Sequence, residues 1–355
     1  MSEYTDSDID YQKLKEEYDP KKVFDTLNIV ISIKDTKYDD QLSYVIDGIL
    51  FRNKCETEFM KSLTTKLSDH FKETDLLKSF SPSHKSWSAF YLFKELIDCI
   101  ESKSESKQCY YRGQNSNWPL EPTIFREGRK GFTDNFRESY NKIFGDIKRR
   151  FPHQFKANSN KPSEEALNKA TELSILQHYG FGTPLLDITE NPFVAMLFMT
   201  HNYEQTVPFL PEPDVFFVVP NGDHRLFQSV RIEDDNPRLI AQQGAFLDFD
   251  YLGNIQSKIG KRNSAKIERV QISVDYKRDQ DLHDNDDKDI ENDREKDTMR
   301  LVGKELLNKL SSFHYNYEDL FPDFSNYITY LKGKYQGREQ DTGDTNTIYK
   351  MNRDL

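Results

Sequence analysis

The sequence has few cysteines. Cys55, Cys99 and Cys109 are the only three among 355 residues, and their spacing fits neither a disulfide framework nor a paired metal motif. This usage is typical of a reducing compartment, so we expect reduced thiols and a cytoplasmic location. The sequence alone predicts no metal site.

The sequence also lacks long apolar runs and an excess of positive charge. No stretch approaches the roughly 18 apolar residues of a membrane span, and residues 1–12 lack the basic and apolar pattern of a secretory leader. The net charge of -11 repels nucleic acid and anionic membranes. We therefore expect a soluble protein without a membrane partner, and the charge favours a small molecule or a protein over nucleic acid. The oligomeric state stays open.

Aromatic residues are abundant. The chain has 25 Phe and 19 Tyr, which supply a large apolar area per buried side chain. A chain of this length can bury a sizeable core. Helical and strand-like segments are mixed along it, so we predict an α+β fold with a central antiparallel or mixed sheet flanked by helices.

Residues 1–80 are predicted to form a mostly helical N-terminal extension. A run of apolar residues four positions apart indicates one helix, and its members are Phe59, Leu63, Leu67 and Phe71. Residues 23–35 are ambiguous, because their several β-branched residues are also typical of a strand.

Residues 81–335 are predicted to form the main domain. Helices are expected at 162–180, closed by Gly180, and from Pro192, capped by Asn191. Strands are expected at 109–113, 215–219, 245–249 and 266–274. Residues 277–297 are strongly charged and are interpreted as a solvated excursion, and residues 336–355 as a flexible tail.

Arg112 is the first candidate site residue. It ends an apolar strand, and Gly113 and Gln114 beside it are predicted to leave room for a ligand at the backbone. A guanidinium there suits a phosphate or a carboxylate. A structural ion pair with Asp187 is the alternative.

Further candidates follow along the chain. His178 and Tyr179 end a helix, where His178 could either transfer a proton or stabilise the helix dipole. Asp187 precedes a buried helix and is expected to be screened from water. Free amides at the start of that helix, near Thr189 and Asn191, could bind an anion.

Two glutamines are the last candidates. Gln242 and Gln243 precede a strand and could bind ribose hydroxyls or a base, or could simply satisfy loop backbone.

Four blocks of the sequence resemble the FRG domain family, named for a Phe-Arg-Gly motif. They are YYRGQNSNW with LEPTIFR, LSILQHYGFGTPLLDITENPFVAMLFM, RLIAQQGAF and DLFPDFSNYITYL, and the resemblance covers about residues 82–335. The family occurs in bacteria and phages, often near defence genes, which implies a role in phage defence. Thr183 of the second block joins the predicted binding residues. Tyr111 replaces the family's Phe, and Pro184 replaces a customary arginine.

The order of elements also resembles that of ADP-ribosyltransferases. The resemblance implies that Arg112 holds NAD. It also implies that Gln243 occupies the position, late in the chain, where those enzymes usually have a carboxylate. Asp187 or Glu190 would then supply the negative charge that glutamine lacks. We therefore predict an NAD-consuming transferase or glycohydrolase, acting on a nucleotide-like molecule or a protein acceptor. A non-catalytic nucleotide- or protein-sensing module is the alternative. A metal nuclease using His178 and Asp187 is less favoured, because no clustered ligand set accompanies them.

Overall fold

The structure is a computed structural model. It describes residues 9–38, 40–53, 55–73, 88–104, 108–115, 118–128, 131–155, 162–200, 212–217, 226–228, 237–252, 266–278, 285–322, 327–328 and 331.

These residues include both helices and strands. The helices are α1 (Tyr11–Glu17), α2 (Pro20–Val23), α3 (Glu58–Glu73), α4 (Ser88–Lys103), α5 (Asp134–Glu138), α6 (Tyr140–Arg150), α7 (Pro162–His178), α8 (Pro192–Thr200), α9 (Pro237–Ala241) and α10 (Asn285–Ser312). The strands are β1 (Phe24–Tyr38), β2 (Gln41–Asn53), β3 (Cys109–Gln114), β4 (Leu185–Thr189), β5 (Glu212–Phe217), β6 (Phe227–Gln228), β7 (Gly244–Asp248) and β8 (Ile267–Tyr276).

The eight strands form one mixed sheet in the order β2-β1-β8-β5-β3-β4-β7-β6. Strands β1 and β8 are parallel, and the other neighbouring pairs are antiparallel. Helices cover both faces of the sheet. The predicted α+β class with a mixed central sheet is therefore confirmed.

The ambiguous segment 23–35 is a strand. Within β1, Leu27, Ile29, Ile31 and Ile33 are fully buried, and ten consecutive residues from Phe24↔Ile267 to Ile33↔Tyr276 pair with β8. The expectation of a mostly helical extension roughly fits, since α1, α2 and α3 are present, and the structure adds two long strands over residues 24–53. The β-branched residues favour the pleated conformation, and the partner strand that secures it is distant in sequence.

The core has two parts, one on each face of the sheet. The first includes Tyr111 of β3 and packs α3, α4, α8 and α10 against the sheet. The second includes Tyr110 of β3 and packs α1 and parts of α6 and α7. Successive residues of a strand point to opposite faces, so β3 contributes to both parts.

Buried polar contacts join the N-terminal region to the rest of the chain. The Tyr11 hydroxyl donates to Asp250 Oδ1 at 2.7 Å, and the Arg137 Nε donates to Gln12 Oε1 at 2.7 Å. Arg137 is 2% exposed. Contacts and sheet both continue across residue 80. The boundary predicted there lies in residues 74–87, outside the described residues, and stays a prediction.

Asp25 shows how β1 positions α3. Its carboxylate is 3% exposed and accepts hydrogen bonds from the backbone amides of Glu56 at 2.9 Å and Thr57 at 2.7 Å, just before α3 begins. An acidic side chain at this end of a helix satisfies amides that have no partner within the helix. Strand β1 thereby fixes the start of α3.

The predicted elements of the main domain are largely present. Strands β3, β7 and β8 and helices α7 and α8 occur where the sequence indicated them, while residues 218–219 of the predicted 215–219 strand lie outside the described residues. The charged segment 277–297 is an exception, since α10 starts at Asn285 and is continuous to Ser312. Sparse apolar residues predicted a solvated segment and gave no sign of the helix. The predicted tail, 336–355, lies outside the described residues.

Candidate functional site

Arg112 is half-buried near the end of β3. Its Nη1 donates a hydrogen bond to the backbone carbonyl oxygen of Asp187 on the neighbouring strand β4. On the other side of β3, the register places Arg112 opposite Asp214 of β5. Alternation along the strand puts Arg112 on the sheet face opposite Tyr111. A cationic group thus lies in the middle of the sheet, between two strands.

Asp187 is exposed, although its neighbours on β4 are buried. Its carboxylate accepts a hydrogen bond from Gln177 Nε2 at 2.7 Å, and Gln177 Oε1 accepts one from the Thr183 hydroxyl. The expectation that Asp187 is screened from water is therefore wrong. The link to Arg112 also differs from the predicted ion pair, because it runs through the main-chain carbonyl.

Gly113 has a packing role that the sequence analysis did not predict. A Cβ added at Gly113 would lie 1.7 Å from the carbonyl oxygen of Ala195 and 2.9 Å from the amide nitrogen of Met199, both in α8. The space that we expected a ligand to use is filled by the helix backbone. The helix can approach β3 this closely because glycine has no side chain.

Gln114 is buried, and its Nε2 donates to the carbonyl oxygen of Trp118 at 3.4 Å. Its side chain thus joins the end of β3 to the backbone of Trp118. Trp118 is 61% exposed.

The start of α8 is capped by Asn191, as the sequence predicted. Its Oδ1 accepts hydrogen bonds from the amides of Phe193 at 2.9 Å and Val194 at 3.4 Å. The amide of Asn191 donates to the Thr189 hydroxyl at 3.0 Å, and that of Glu190 donates to the Gln243 carbonyl at 2.9 Å. The prediction of free amides for an anion is therefore wrong, because these amides already have partners within the protein.

The two glutamines differ in their surroundings. Gln242 is half-buried, and its Nε2 donates to the carbonyl oxygen of Leu320 at 3.0 Å, so it joins two distant segments of the chain. Gln243 is exposed, with a φ of 44°. The Thr189 hydroxyl donates to the Gln242 carbonyl at 2.7 Å, which fixes this loop against β4. Of the two glutamines, only Gln243 is exposed.

His178 and Tyr179 lie at the end of α7. Gly180, with a φ of 79°, donates to the Gln177 carbonyl at 2.9 Å, and Phe181 donates to the Leu176 carbonyl at 3.1 Å. These two bonds form a Schellman motif, which is the predicted glycine cap. His178 is half-buried in the last turn and Tyr179 is 77% exposed. The position of His178 suits the dipole interaction.

Thr183 is fully buried, and its amide donates to the Thr123 hydroxyl at 3.0 Å. Thr183 therefore has no contact with solvent, and its hydrogen bonds hold Gln177 and the 123–125 turn. Gln177 is a member of the network that the sequence analysis missed. Its only sequence signal is a polar residue next to the helix cap.

The two positions that depart from the FRG pattern are both buried. The Tyr111 hydroxyl donates to Glu101 of α4, and burial followed by this hydrogen bond raises the pKa of Tyr111 above its usual range. Pro184 accepts a hydrogen bond from the Phe249 amide at 3.0 Å through its carbonyl. The hydroxyl that distinguishes Tyr111 from Phe thus has a partner of its own.

Arg112 lies on β3, Asp187 lies on β4 and Gln243 directly precedes β7. These three strands are neighbours in the sheet. A groove of about 420 Å³ opens elsewhere, over α5 and α6, and is lined by residues such as Thr133, Phe136 and Asp146. It includes none of the predicted site residues.

The geometry is that of an α+β domain that carries a polar network on β3 and β4. The FRG domain model matches residues 107–207, a segment that includes β3, β4 and α8, so the chain contains an FRG domain. Neither curated proteins nor solved structures gave a significant match. Among the described residues, no helix combines the length and apolar character needed to cross a membrane.

Proposed function

We propose that the protein is an NAD-consuming enzyme, either an ADP-ribosyltransferase or an NAD glycohydrolase. The observation that carries this proposal is the position of the half-buried Arg112 guanidinium on β3, next to the strand β4 that carries the exposed Asp187 carboxylate; Arg112 Nη1 donates to the backbone carbonyl of Asp187. A cation for phosphate and, on the next strand, an anion for a developing positive charge suit the pyrophosphate and the nicotinamide ribose of NAD.

The proposed roles follow from charge. Arg112 binds the pyrophosphate, and it carries most of this task because the amides at the start of α8 are already bonded within the protein. Asp187 faces the ribose carbon as its bond to nicotinamide breaks and nicotinamide leaves with the bonding electrons. Water or a protein side chain then attacks the oxocarbenium-like carbon and loses a proton. The exposed Gln243 binds a ribose hydroxyl.

The test is release of nicotinamide from NAD by the purified full chain. We expect Arg112→Ala to lower kcat/KM at least about 100-fold, because the main anion-binding group is lost. Arg126→Ala is the matched control, since Arg126 is an exposed arginine that bonds the Glu121 carbonyl. Absence of nicotinamide with the unmodified chain, or equal turnover after Arg112→Ala, refutes the proposal.

A second pair of variants tests which carboxylate, that of Asp187 or that of Glu190, supplies the catalytic charge. Asp187→Asn keeps the hydrogen bond from Gln177 and removes the charge, so kcat should fall while KM changes little. Glu190→Gln changes the other exposed carboxylate at the end of β4. If Glu190→Gln alone lowers kcat, the catalytic charge belongs to Glu190. Free ADP-ribose among the products indicates hydrolysis, and labelled protein indicates transfer.

A sensing module is the second candidate function. It is favoured by the side chains of Gln114, Asn191 and Gln242, whose amide groups are engaged inside the protein. Fewer polar groups are then left for chemistry. A rise in the melting temperature with NAD, lost in Arg112→Ala and without nicotinamide release, supports this function against the first.

The family resemblance also supports a role as a cytoplasmic effector in bacterial defence against phages. Expression of the full chain in a bacterial host should then reduce phage plating, and Arg112→Ala should restore it.

A further inference from the structure

Three metal-binding side chains meet between α3 and α4, outside the site described above. His70 Nε2 lies 2.9 Å from Glu95 Oε1, and Cys99 Sγ lies 3.5 Å from the same oxygen. One ligand atom from each residue lies within 4.8 Å of the other two. Glu95 and Cys99 are four residues apart on α4, so they share one helix face towards His70.

We propose that His70, Glu95 and Cys99 bind one divalent transition-metal ion of the zinc class, which joins α3 to α4. Imidazole nitrogen, carboxylate oxygen and cysteine sulfur are the donors that zinc takes in proteins. In a tetrahedral site, ligand atoms are about 3.3 to 3.7 Å apart, so small side-chain rotations convert the hydrogen-bonded cluster into a coordinated one.

The charges in the cluster balance when the ion is bound. A divalent ion with one thiolate, one carboxylate and a neutral imidazole has no net charge, which suits a site beside the core. Cys99 is 6% exposed, whereas the side chains of His70 and Glu95 are 27% and 35% exposed, so an ion can enter from their side. Water completes the coordination there.

The thiol has no other evident role. A metal ion binds cysteine as the thiolate, and a bound cation stabilises that thiolate. Binding therefore replaces one thiol proton with the metal and releases that proton to the solvent.

The test uses cobalt(II) as a spectroscopic substitute for zinc. The metal-free full chain is titrated with Co²⁺, and we expect one equivalent to produce a sulfur-to-cobalt charge-transfer band and the visible bands of a tetrahedral site. Zn²⁺ should then displace Co²⁺ and raise the melting temperature. Titration in two buffers that differ in ionisation enthalpy should report release of one proton.

Variants separate this site from surface binding. His70→Ala, Glu95→Gln and Cys99→Ser should each weaken Co²⁺ binding more than about 100-fold, since even groups behind the ligands are worth 10- to 100-fold. Cys55→Ser is the matched control, because Cys55 is also a buried cysteine and lies outside the cluster. It should leave binding unchanged.

Three results overturn the proposal. They are the absence of stoichiometric Co²⁺ uptake, uptake without the sulfur band, and uptake that survives in Cys99→Ser. Circular dichroism of each variant before titration confirms that the chain is folded.

Discussion

The motif glycine next to Arg112 gives the sharpest prediction. In Gly113→Ala the new Cβ would lie 1.7 Å from the Ala195 carbonyl oxygen and 2.6 Å from its carbonyl carbon. Both atoms belong to a helix backbone, so no side chain can rotate away. An ordinary contact requires that the helix and strand separate by about 1.5 Å or more.

That separation disturbs a tightly packed part of the core. Helix α8 buries Val194, Ala195, Met196, Leu197 and Met199. Overpacking in a core costs about 1 to 3 kcal/mol, and the upper end applies here because the backbone itself must move. We expect the free energy of unfolding to fall by about 3 kcal/mol or more, out of the roughly 5 to 15 kcal/mol typical of a folded protein.

Urea denaturation, followed by circular dichroism, measures this loss. Gly48→Ala in β2 is the control, because a Cβ there has no atom within 4 Å. We expect its stability to change by no more than about 1 kcal/mol. If Gly113→Ala is as stable as Gly48→Ala, then the close approach of α8 to β3, and the explanation of the motif glycine, are wrong.

Two further predictions concern the caps and the buried thiols. Asn191→Ala should lower the free energy of unfolding by about 1 to 2 kcal/mol. Asn191→Asp should retain most of that stability, since the capping group is an acceptor oxygen. Equal losses in the two variants would contradict the capping role of Asn191. Burial, followed by the Asp25 carboxylate, raises the pKa of Cys55 from 9.0 to about 12. The folded state favours the neutral thiol, so this contribution to stability is complete below pH 9 and is lost as the pH rises to about 12. Cys55→Ser should show a smaller loss over that range in urea denaturation, and a loss as steep as that of the unmodified chain would refute the linkage.

The candidate site shows where sequence reasoning succeeded. The Asn191 cap and the Gly180 cap follow from local rules, because a cap depends on residues within one helical turn. The position of Arg112 at the end of β3 also followed from its apolar neighbours.

The surroundings of those residues could not be predicted from local sequence rules. The exposure of Asp187, the helix against Gly113 and the Gln177 hydrogen bonds all depend on segments that are distant in sequence. The same holds for His70 and Cys99, which lie on different helices.

The sequence by itself determined the mixture of helices and strands, the Gly180 and Asn191 caps and the resemblance to the FRG domain, because these depend on side chains close together along the chain. Only the tertiary structure decided that β1 pairs with β8, more than two hundred residues away, and that the amides before α8 are already bonded. Such choices depend on which distant backbone groups satisfy one another, and local patterns do not encode that pairing.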